Sequence, residues 1–470
     1  MDEALPLSGS AVPQSPEITL GEEVAGSPVA APVARTERIP ILDVIRGFAL
    51  LGILLMNIVV FSGPSDMGGN PTTVGHHDRL NIAAWVVCGI LFEGKMRGAF
   101  SMLFGAGVIL LTDRAEARGL GARVGDIFTR RNMWLVLFGV LDGYLLWFGD
   151  ILYWYGLLAL LFLYPFRKAN SRTLWIAGLV SLLLVEIPMA AQYFEKRPQA
   201  NLVAAAHEAQ QAGKKLTKEQ SDALNQERKS IEDQRKERAE DLKRMRSGYW
   251  QITQFRAKQV NFLETQFLYF FGFGDSLGMM LIGMALLRAG FLSGSMPSRF
   301  YVRTALICYP LVILIAGFGV VKIVGTHFRP SPFDLYLSNV PYEIERSIGT
   351  LANISVVILI CKKGWLKPLT RRLAAVGQMA LTNYLLTSVL CVLYFYGYGL
   401  KHYGELEYYQ LFYVVAAVWA VLLVASPLWL QHYQFGPMEW LWRSLTYWRR
   451  QPMRLRRPVT IPLDQLPQPA

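Results

Sequence analysis

The chain has few cysteines and few charged residues for its length. Charged residues make up 17% of its 470 residues, whereas a soluble domain carries about a quarter. No two of the four cysteines form a CxxC pair. We therefore expect neither a disulfide framework nor a metal site, and small, buried apolar roles for the cysteines. They are Cys88, Cys308, Cys361 and Cys391.

Sequence motifs for several familiar chemistries are also lacking. There is no P-loop, no GxGxxG that opens a dinucleotide fold and no GxSxG nucleophile elbow. The net charge is +12, yet the basic residues lie between apolar blocks and not on one soluble face, so no nucleic acid partner is expected. Residues 1–37 lack the basic start and apolar core of a signal peptide, so they are expected to form a disordered cytoplasmic tail.

Long apolar blocks dominate the rest of the chain. Each is roughly 17 to 25 residues long, which is enough to cross about 30 Å of hydrocarbon as a helix. Inside a membrane every backbone polar group must be satisfied within the protein, which favours helices. We predict an all-α, polytopic membrane bundle of about ten helices, with the lipid bilayer as its partner. The predicted spans are 41–62, 80–113, 132–148, 151–166, 172–193, 265–289, 302–324, 346–361, 374–397 and 408–430.

The basic residues predict the orientation. Lys and Arg in the short connections are split 24 to 3 between the two sides, and the richer side is expected in the cytoplasm. Both termini then lie in the cytoplasm. The long connection 194–264 lies outside despite its charges, because segments of this length translocate largely regardless of charge.

The same pattern predicts the organisation of the chain. The connection 194–264 is rich in Ala, Gln, Glu, Lys and Arg, which indicates a charged helical insertion. It forms either a solvated external cap or a lid that binds an acceptor. The predicted regions are a cytoplasmic tail at 1–37, a transmembrane half at 38–193, the insertion at 194–264, a second transmembrane half at 265–450 and a second cytoplasmic tail at 451–470.

Ionisable residues within the predicted spans are candidates for function, because charges inside a membrane are expensive. Asp43 and Arg46 lie three residues apart on the first span and can pair. They are either a helix-end acid with a cytoplasmic arginine or part of a site for an anionic donor. Glu93, Lys95 and Arg97 interrupt the second span, which predicts a broken or re-entrant element. Even if these three side chains pair with one another, we expect a polar cavity around them.

Other polar residues are weaker candidates. Asn57 is expected to bond another helix. Asp142 and Asp150 bracket the outer half of the third span, and Asp150 is expected to cap the next helix. His77 is either an exposed loop histidine or a general base beside an acidic group. Further polar candidates are Arg130, Arg131 and Asn383.

Several segments, taken in order, resemble the bacterial YeiB-like membrane proteins, a family of undefined function. The resemblance covers residues 38 to 450 and is most specific in the last two segments. The segments are Leu42–Asn57, Lys95–Gly107, Gly149–Leu152, Gly278–Gly283, Gly377–Leu385 and Gly436–Arg443.

That family is similar in turn to the transmembrane acyltransferases, including heparan-α-glucosaminide N-acetyltransferase. The resemblance implies a bacterial inner-membrane protein that takes acyl-CoA or acetyl-CoA from the cytoplasm and a glycan or amine acceptor from outside. It also implies that Asn70 and His77 are catalytic. The groups Asp43/Arg46 and Lys95/Arg97 would together hold the CoA phosphates and the thioester, and the pair Arg130 and Arg131 would contribute to phosphate binding.

Two other functions stay open on the sequence alone. Broken helices and charges at the membrane midplane also suit a transporter or channel for a small polar or anionic solute. A scaffold that uses the 194–264 insertion is the third alternative. A homodimer is compatible with each of them.

Overall fold

The computed structural model describes residues 38–64, 66–121, 123–326, 328 and 342–455. Nearly all of them are helical, and the described part contains no strand beyond an isolated bridge between Tyr433 and Arg454. This confirms the predicted all-α class. The first predicted tail and most of the second, 1–37 and 456–470, lie outside the described residues.

The helices follow the predicted apolar blocks. A π-helical turn interrupts α6, and a π-helical segment, Leu263–Gly272, joins α9 to α10. The helices are α1 Pro40–Ser62, α2 Asp66–Gly69, α3 Asp78–Leu91, α4 Lys95–Ala117, α5 Arg123–Leu145, α6 Leu152–Phe166, α7 Ser171–Gln211, α8 Lys218–Met245, α9 Tyr249–Phe262, α10 Phe273–Arg288, α11 Ser298–Gly325, α12 Tyr342–Lys363, α13 Lys367–Gln378, α14 Ala380–Phe395, α15 Leu411–His432 and α16 Pro437–Tyr447.

Within this part of the chain, six helical segments are long and apolar enough to cross a membrane, or seven if the bent pair α13–α14 counts as one. The protein is therefore a polytopic membrane protein, and the number ten stays a prediction. The six segments are Pro40–Ser62, Asp78–Ala117, Ser171–Pro188, Ser298–Gly325, Tyr342–Lys363 and Tyr408–Leu430.

The predicted interruption of the second span is confirmed. Helix α3 ends at Leu91, and α4 begins at Lys95. Gly94 between them has a φ of 66°, a conformation that suits glycine. A side chain there would also collide with α12, since an added Cβ would lie 2.5 Å from the hydroxyl of Tyr342. The break is thus built into the packing of the bundle.

The single span predicted at 374–397 is wrong in one respect, because α13 and α14 meet at an angle of 89°. The backbone N–H groups of Leu381 and Thr382 donate to the carboxylate of Glu439, at 2.6 and 3.0 Å. In a continuous helix these groups would bond to carbonyls four residues earlier. The carboxylate of α16 therefore caps α14 and stabilises the bend.

The predicted insertion is helical. Helix α7 continues 41 residues from Ser171 to Gln211, and α8 runs back along it after a short turn. A contact between His207 and Glu227 at 2.8 Å joins the two helices. The Arg246 guanidinium also donates to the Tyr403 carbonyl at 2.7 Å, which fixes the base of the insertion to the bundle.

Glycines permit the closest helix contacts of the core. A Cβ added at Gly105 would lie 2.0 Å from the Met280 carbonyl oxygen, and one at Gly283 would lie 2.0 Å from that of Met102. Helices α4 and α10 thus touch backbone to backbone. A Cβ at Gly377 would likewise lie 2.0 Å from the carbonyl oxygen of Asp43. We call these backbone-to-backbone contacts seams, and each joins segments that are far apart in the sequence.

These seams predict unequal effects for two neighbouring glycines on α4. Gly105→Ala should destabilise the protein by roughly 1–3 kcal/mol, because the new methyl group meets rigid backbone. Gly107→Ala is the matched control, since an added Cβ there has no atom within 4 Å. Thermal unfolding of both variants in detergent measures this difference in stability. Equal midpoint temperatures for the two variants would contradict a close backbone contact at Gly105.

Candidate functional site

Polar side chains gather in three regions of the bundle. We call the end at which α1 begins the near face and the end at which it terminates, at Ser62, the far face. The arginine cluster lies at the near face. The central network lies where the second span breaks. The far-face dyad is His77 with Glu407, on loops that meet the end of α1, since Gly404 N–H donates to the Ser62 carbonyl at 2.6 Å.

The central network pairs buried cations with buried carboxylates. The Lys95 ammonium lies 2.6 Å from Glu345, and the Arg97 guanidinium lies 2.8 Å from Asp275. The Arg346 guanidinium bridges Asp275 and Glu343. Lys95 and Arg346 are completely buried. Because an unpaired charge at such depth is strongly unfavourable, each cation needs its partner.

The position of this network is determined by the break in the second span. At the end of α3 the Cys88 carbonyl still accepts from the N–H groups of Phe92 and Glu93, whereas side chains bind the carbonyls of Gly89 and Leu91. Lys95 Nζ donates to the Gly89 carbonyl at 3.0 Å, and Asn353 Nδ2 donates to that of Leu91 at 2.9 Å. The Thr350 hydroxyl binds the Lys95 carbonyl at 3.0 Å. Helix α12 thus satisfies the broken backbone and also supplies carboxylates.

The ion pairs of this network involve two of the three charged residues predicted at the break, and the polar cavity expected around Glu93, Lys95 and Arg97 stays a prediction. The two cations pair with carboxylates of other helices, in a packed cluster. The half-buried Glu93 has no ion pair within the described ranges. Lys95 and Arg97 are neutralised by Glu345 and Asp275, so a phosphate would have to compete with these carboxylates.

Sequence reasoning missed the carboxylates of the network. Asp275 lies inside a predicted span, so the rule that singled out Lys95 would have found it too. Glu343, Glu345 and Arg346 lie where a loop meets a predicted span, and such charges are ordinary at that position. Only packing against the broken span shows their role.

The far-face dyad joins a histidine to a fixed carboxylate. His77 Nδ1 lies 2.8 Å from Glu407 Oε1, and the His77 backbone N–H donates to Oε2 at 3.1 Å. Asn81 Nδ2 also donates to Oε2, at 3.1 Å. The hydrogen bond from the His77 ring lowers the pKa of Glu407 to about 2. Glu407 is therefore ionised at neutral pH and accepts a hydrogen bond from the Nδ1–H group of His77.

The dyad leaves the other ring nitrogen of His77 available. The side chain is 59% exposed, and Nε2 makes no hydrogen bond to the described residues. With the proton on Nδ1, Nε2 is a basic nitrogen in an orientation fixed by Glu407. This is the geometry of a general base held by a carboxylate.

The predicted partner Asn70 is not part of the dyad. Its Oδ1 accepts from the backbone N–H of Thr72 at 3.0 Å and from the Thr72 hydroxyl at 2.7 Å, so it stabilises a local turn. Asn81, inside α3, contacts the carboxylate instead. Glu407 itself was missed, because it lies 330 residues from His77 in sequence.

The arginine cluster consists of Arg38, Arg46, Arg131 and Arg443. Arg46 pairs with Asp43 at 2.9 Å, as the spacing predicted. Arg131 lies over the ring of Trp442, with its guanidinium carbon 3.9 Å from the ring centroid. In the described structure no carboxylate lies within ion-pair distance of Arg131 or Arg443.

The arginines repel one another. Burial of its guanidinium and the charges of Arg38 and Arg46 lower the pKa of Arg443 to about 10. A bound anion would relieve this repulsion. Arg130, the neighbour of Arg131, instead donates to the Asp126 carbonyl of its own helix at 3.3 Å.

A cavity opens beside this cluster at the near face. Its volume is about 350 Å³, and both charged and amide side chains line it. The bend between α13 and α14 shapes one wall, because Gln378 is the last residue of α13. The polar lining residues are Arg38, Asp43, Arg371, Gln378 and Gln431.

The remaining polar candidates are Asn383, Asn57, Asp150 and Asp142. Asn383 Nδ2 donates to the Val376 carbonyl at 3.0 Å and to the Ser426 hydroxyl at 2.9 Å, which ties the bend to α15. Asn57 is half-buried and makes no side-chain hydrogen bond to the residues in view. Asp150 caps α6, as predicted, by accepting from the Tyr153 N–H at 2.9 Å. Asp142 is buried beside it.

A helical bundle with a broken second span and buried ion pairs defines a polytopic membrane protein. The chain belongs to the YeiB-like family. The model of a family described as "Protein of unknown function (DUF418)" matches residues 286–449. No solved structure matches the chain.

Relatives along nearly the whole length show this membership. The uncharacterized protein YxaH of Bacillus subtilis is 32% identical over 91% of this chain and 99% of its own length. The uncharacterized protein YeiB of Escherichia coli is 30% identical over 87% of this chain and 96% of its own length. An uncharacterized 39.9 kDa protein of Bacillus acidopullulyticus is 26% identical over 91% of this chain and 99% of its own length.

The central network predicts a large effect for Lys95→Met. Removal of the cation leaves Glu345 buried without its partner, which should destabilise the protein by roughly 3–5 kcal/mol. The double variant Lys95→Met/Glu345→Gln should recover part of this loss. Unfolding in detergent by increasing dodecyl sulfate measures both.

The control is Lys236→Met, which breaks an exposed pair of similar length on α8, with Lys236 Nζ 2.7 Å from Glu232. Exposed pairs contribute little, so a change within about 0.5 kcal/mol is expected. If Lys95→Met behaves like Lys236→Met, the network does not hold the bundle together.

Proposed function

We propose that the protein is a membrane-bound acyltransferase of the bacterial inner membrane. It would move an acyl group from cytoplasmic acyl-CoA or acetyl-CoA to a glycan or amine acceptor on the outer side. The observation that carries the proposal is the His77–Glu407 dyad, because an oriented histidine with a free Nε2 suits proton transfer in acyl transfer.

The dyad can perform both proton transfers of the reaction. His77 Nε2 takes the proton of the acceptor amine or hydroxyl as that group attacks the thioester carbonyl. The tetrahedral intermediate then collapses, the carbon–sulfur bond breaks and His77 returns the proton to the CoA thiolate. Glu407 holds the imidazole and stabilises its protonated form during the step.

The arginine cluster supports a donor site at the near face. CoA carries several phosphates, and arginines bind phosphates with paired hydrogen bonds. In this cluster positive charge exceeds negative charge, and no carboxylate of the described residues lies within ion-pair distance of Arg131 or Arg443. Arg131 is one of the phosphate-binding residues suggested by the sequence, and Arg443 is added to them here.

Transport of a small polar or anionic solute is the alternative function. The observations in its favour are the break at 92–94 and the 89° bend between α13 and α14. Broken helices often form binding sites in transporters. A transporter of this kind would not release CoA from acetyl-CoA.

The proposed function requires the near face, with both termini, in the cytoplasm and the turn around Gly213 outside. Alkaline phosphatase is active only when exported. We expect activity when it is inserted at Gly213 and none when it is fused after Ala470. The opposite pattern would reverse the orientation and place the arginine cluster outside.

The donor site predicts a loss of CoA affinity without the arginines. Arg443→Ala and Arg131→Ala should each weaken acetyl-CoA binding at least tenfold, which corresponds to about 1.4 kcal/mol. Calorimetry in detergent measures this. Arg299→Ala, which removes an exposed arginine from the start of α11, is the control and should bind as the wild type does.

The dyad is tested in the same preparations. His77→Ala and Glu407→Gln should keep donor binding but lower the release of CoA from acetyl-CoA in the presence of glucosamine at least tenfold, as expected for loss of general base catalysis. His76→Ala is the matched control. If the wild type binds no acetyl-CoA at millimolar concentration, the transferase proposal fails and transport becomes the better explanation.

A further inference from the structure

A pair of buried carboxylates lies in the far half of the bundle, away from the dyad and the central network. Asp142 is near the end of α5, and Asp150 precedes α6. They are only 2% and 7% exposed. No Lys or Arg side chain pairs with either of them in the described part of the chain. Two adjacent negative charges without a cation would be very unfavourable at this depth.

The two carboxylates have different partners. Asp150 accepts from the Tyr153 N–H at 2.9 Å and from the Tyr384 hydroxyl at 3.3 Å. Both donors stabilise its charged form. Neither oxygen of Asp142 has a hydrogen-bond donor among the described residues. Its neighbour is Asp150, which is within hydrogen-bonding reach but is itself an acceptor.

Small residues on α5 make room for the carboxylates. A Cβ added at Gly139 would lie 2.6 Å from Asp150 Oδ2, and one at Gly143 would lie 3.3 Å from Glu264 Oε1. Among the described residues, the ionisable groups that face the pair are Glu264 from the π-helical segment before α10 and Tyr384 from α14. Neither is a cation. A third carboxylate makes the full ionisation of all three still less favourable.

We propose that Asp142 and Asp150 bind one proton between them, with Asp142 as the carboxylic acid that donates to Asp150. A proton turns the acceptor–acceptor contact into a hydrogen bond and satisfies the orphaned side chain. The part-exposed Glu264 is the group through which this proton exchanges with solvent. The site does not depend on the proposed acyl transfer.

The ligand is a proton and not a metal ion. The described residues contain no group of three or more Asp, Glu, His or Cys side chains that could hold a metal. The pair offers one unsatisfied carboxylate beside one whose oxygens already accept two bonds. That suits a single proton better than a cation that needs several oxygen ligands.

Infrared spectroscopy of the purified protein tests the proton directly. At neutral pH the wild type should show the carbonyl band of a buried carboxylic acid, with a shift in D₂O. The band should be lost in Asp142→Asn, because the remaining Asp150 carboxylate has two hydrogen-bond donors. In Asp150→Asn the band should change frequency, because Asp142 then donates to an amide oxygen instead of a carboxylate. Asp126→Asn, an exposed position on the same helix, is the matched control and should keep the wild-type band.

Thermal unfolding against pH gives a second measurement. Unfolded aspartic acids ionise above about pH 4, whereas the proposed pair keeps its proton in the folded protein. Wild-type stability should therefore fall as the pH rises above that value, because only the unfolded state releases the proton. Asp142→Asn should flatten this slope, since its amide donates the same hydrogen bond and has no proton to lose.

The exchange role of Glu264 is tested by Glu264→Gln. This variant should keep the band but slow its shift in D₂O severalfold, and an unchanged rate would overturn the role. A band that persists in Asp142→Asn would overturn the shared proton. Loss of the wild-type band on addition of Na⁺ would show that the pair is a cation site instead. Size-exclusion profiles identify any variant that fails to fold.

Discussion

The structure depends on one constraint: the backbone groups and charged side chains at the break in the second span need partners inside the bundle. The second span stops at Leu91 and resumes at Lys95, so carbonyls and charges are exposed where water is scarce. Helix α12 supplies Asn353 for the backbone and Glu345 for Lys95. Asp275 on α10 completes the set. Three elements far apart in sequence are thereby held at one depth.

Close backbone contacts give the same helices their positions. Gly105 and Gly283 allow α4 and α10 to touch, and Gly377 allows α13 to touch α1. Glu439 then caps α14 beyond the bend. Helix packing and helix capping therefore account for these glycines and for Glu439.

The two faces of the bundle differ in charge and in chemistry. The near face gathers arginines around a cavity, with Asp43 as the acid paired to Arg46. The far face holds a histidine fixed by Glu407. Between them the charges of the central network are used in ion pairs. This division is compatible with the proposed transfer between a donor and an acceptor on opposite sides of the membrane.

The sequence by itself determined the helical class, the membrane character, the family and the break in the second span. These follow from apolar length and from charges such as Lys95 inside an apolar run, which are local properties. The pair Asp43–Arg46 was also predictable, since three residues on one helix fix its geometry. Only the tertiary structure decided that Lys95 meets Glu345 and that Glu407 holds His77. Such partners come from elements hundreds of residues apart, and helix packing alone brings them together.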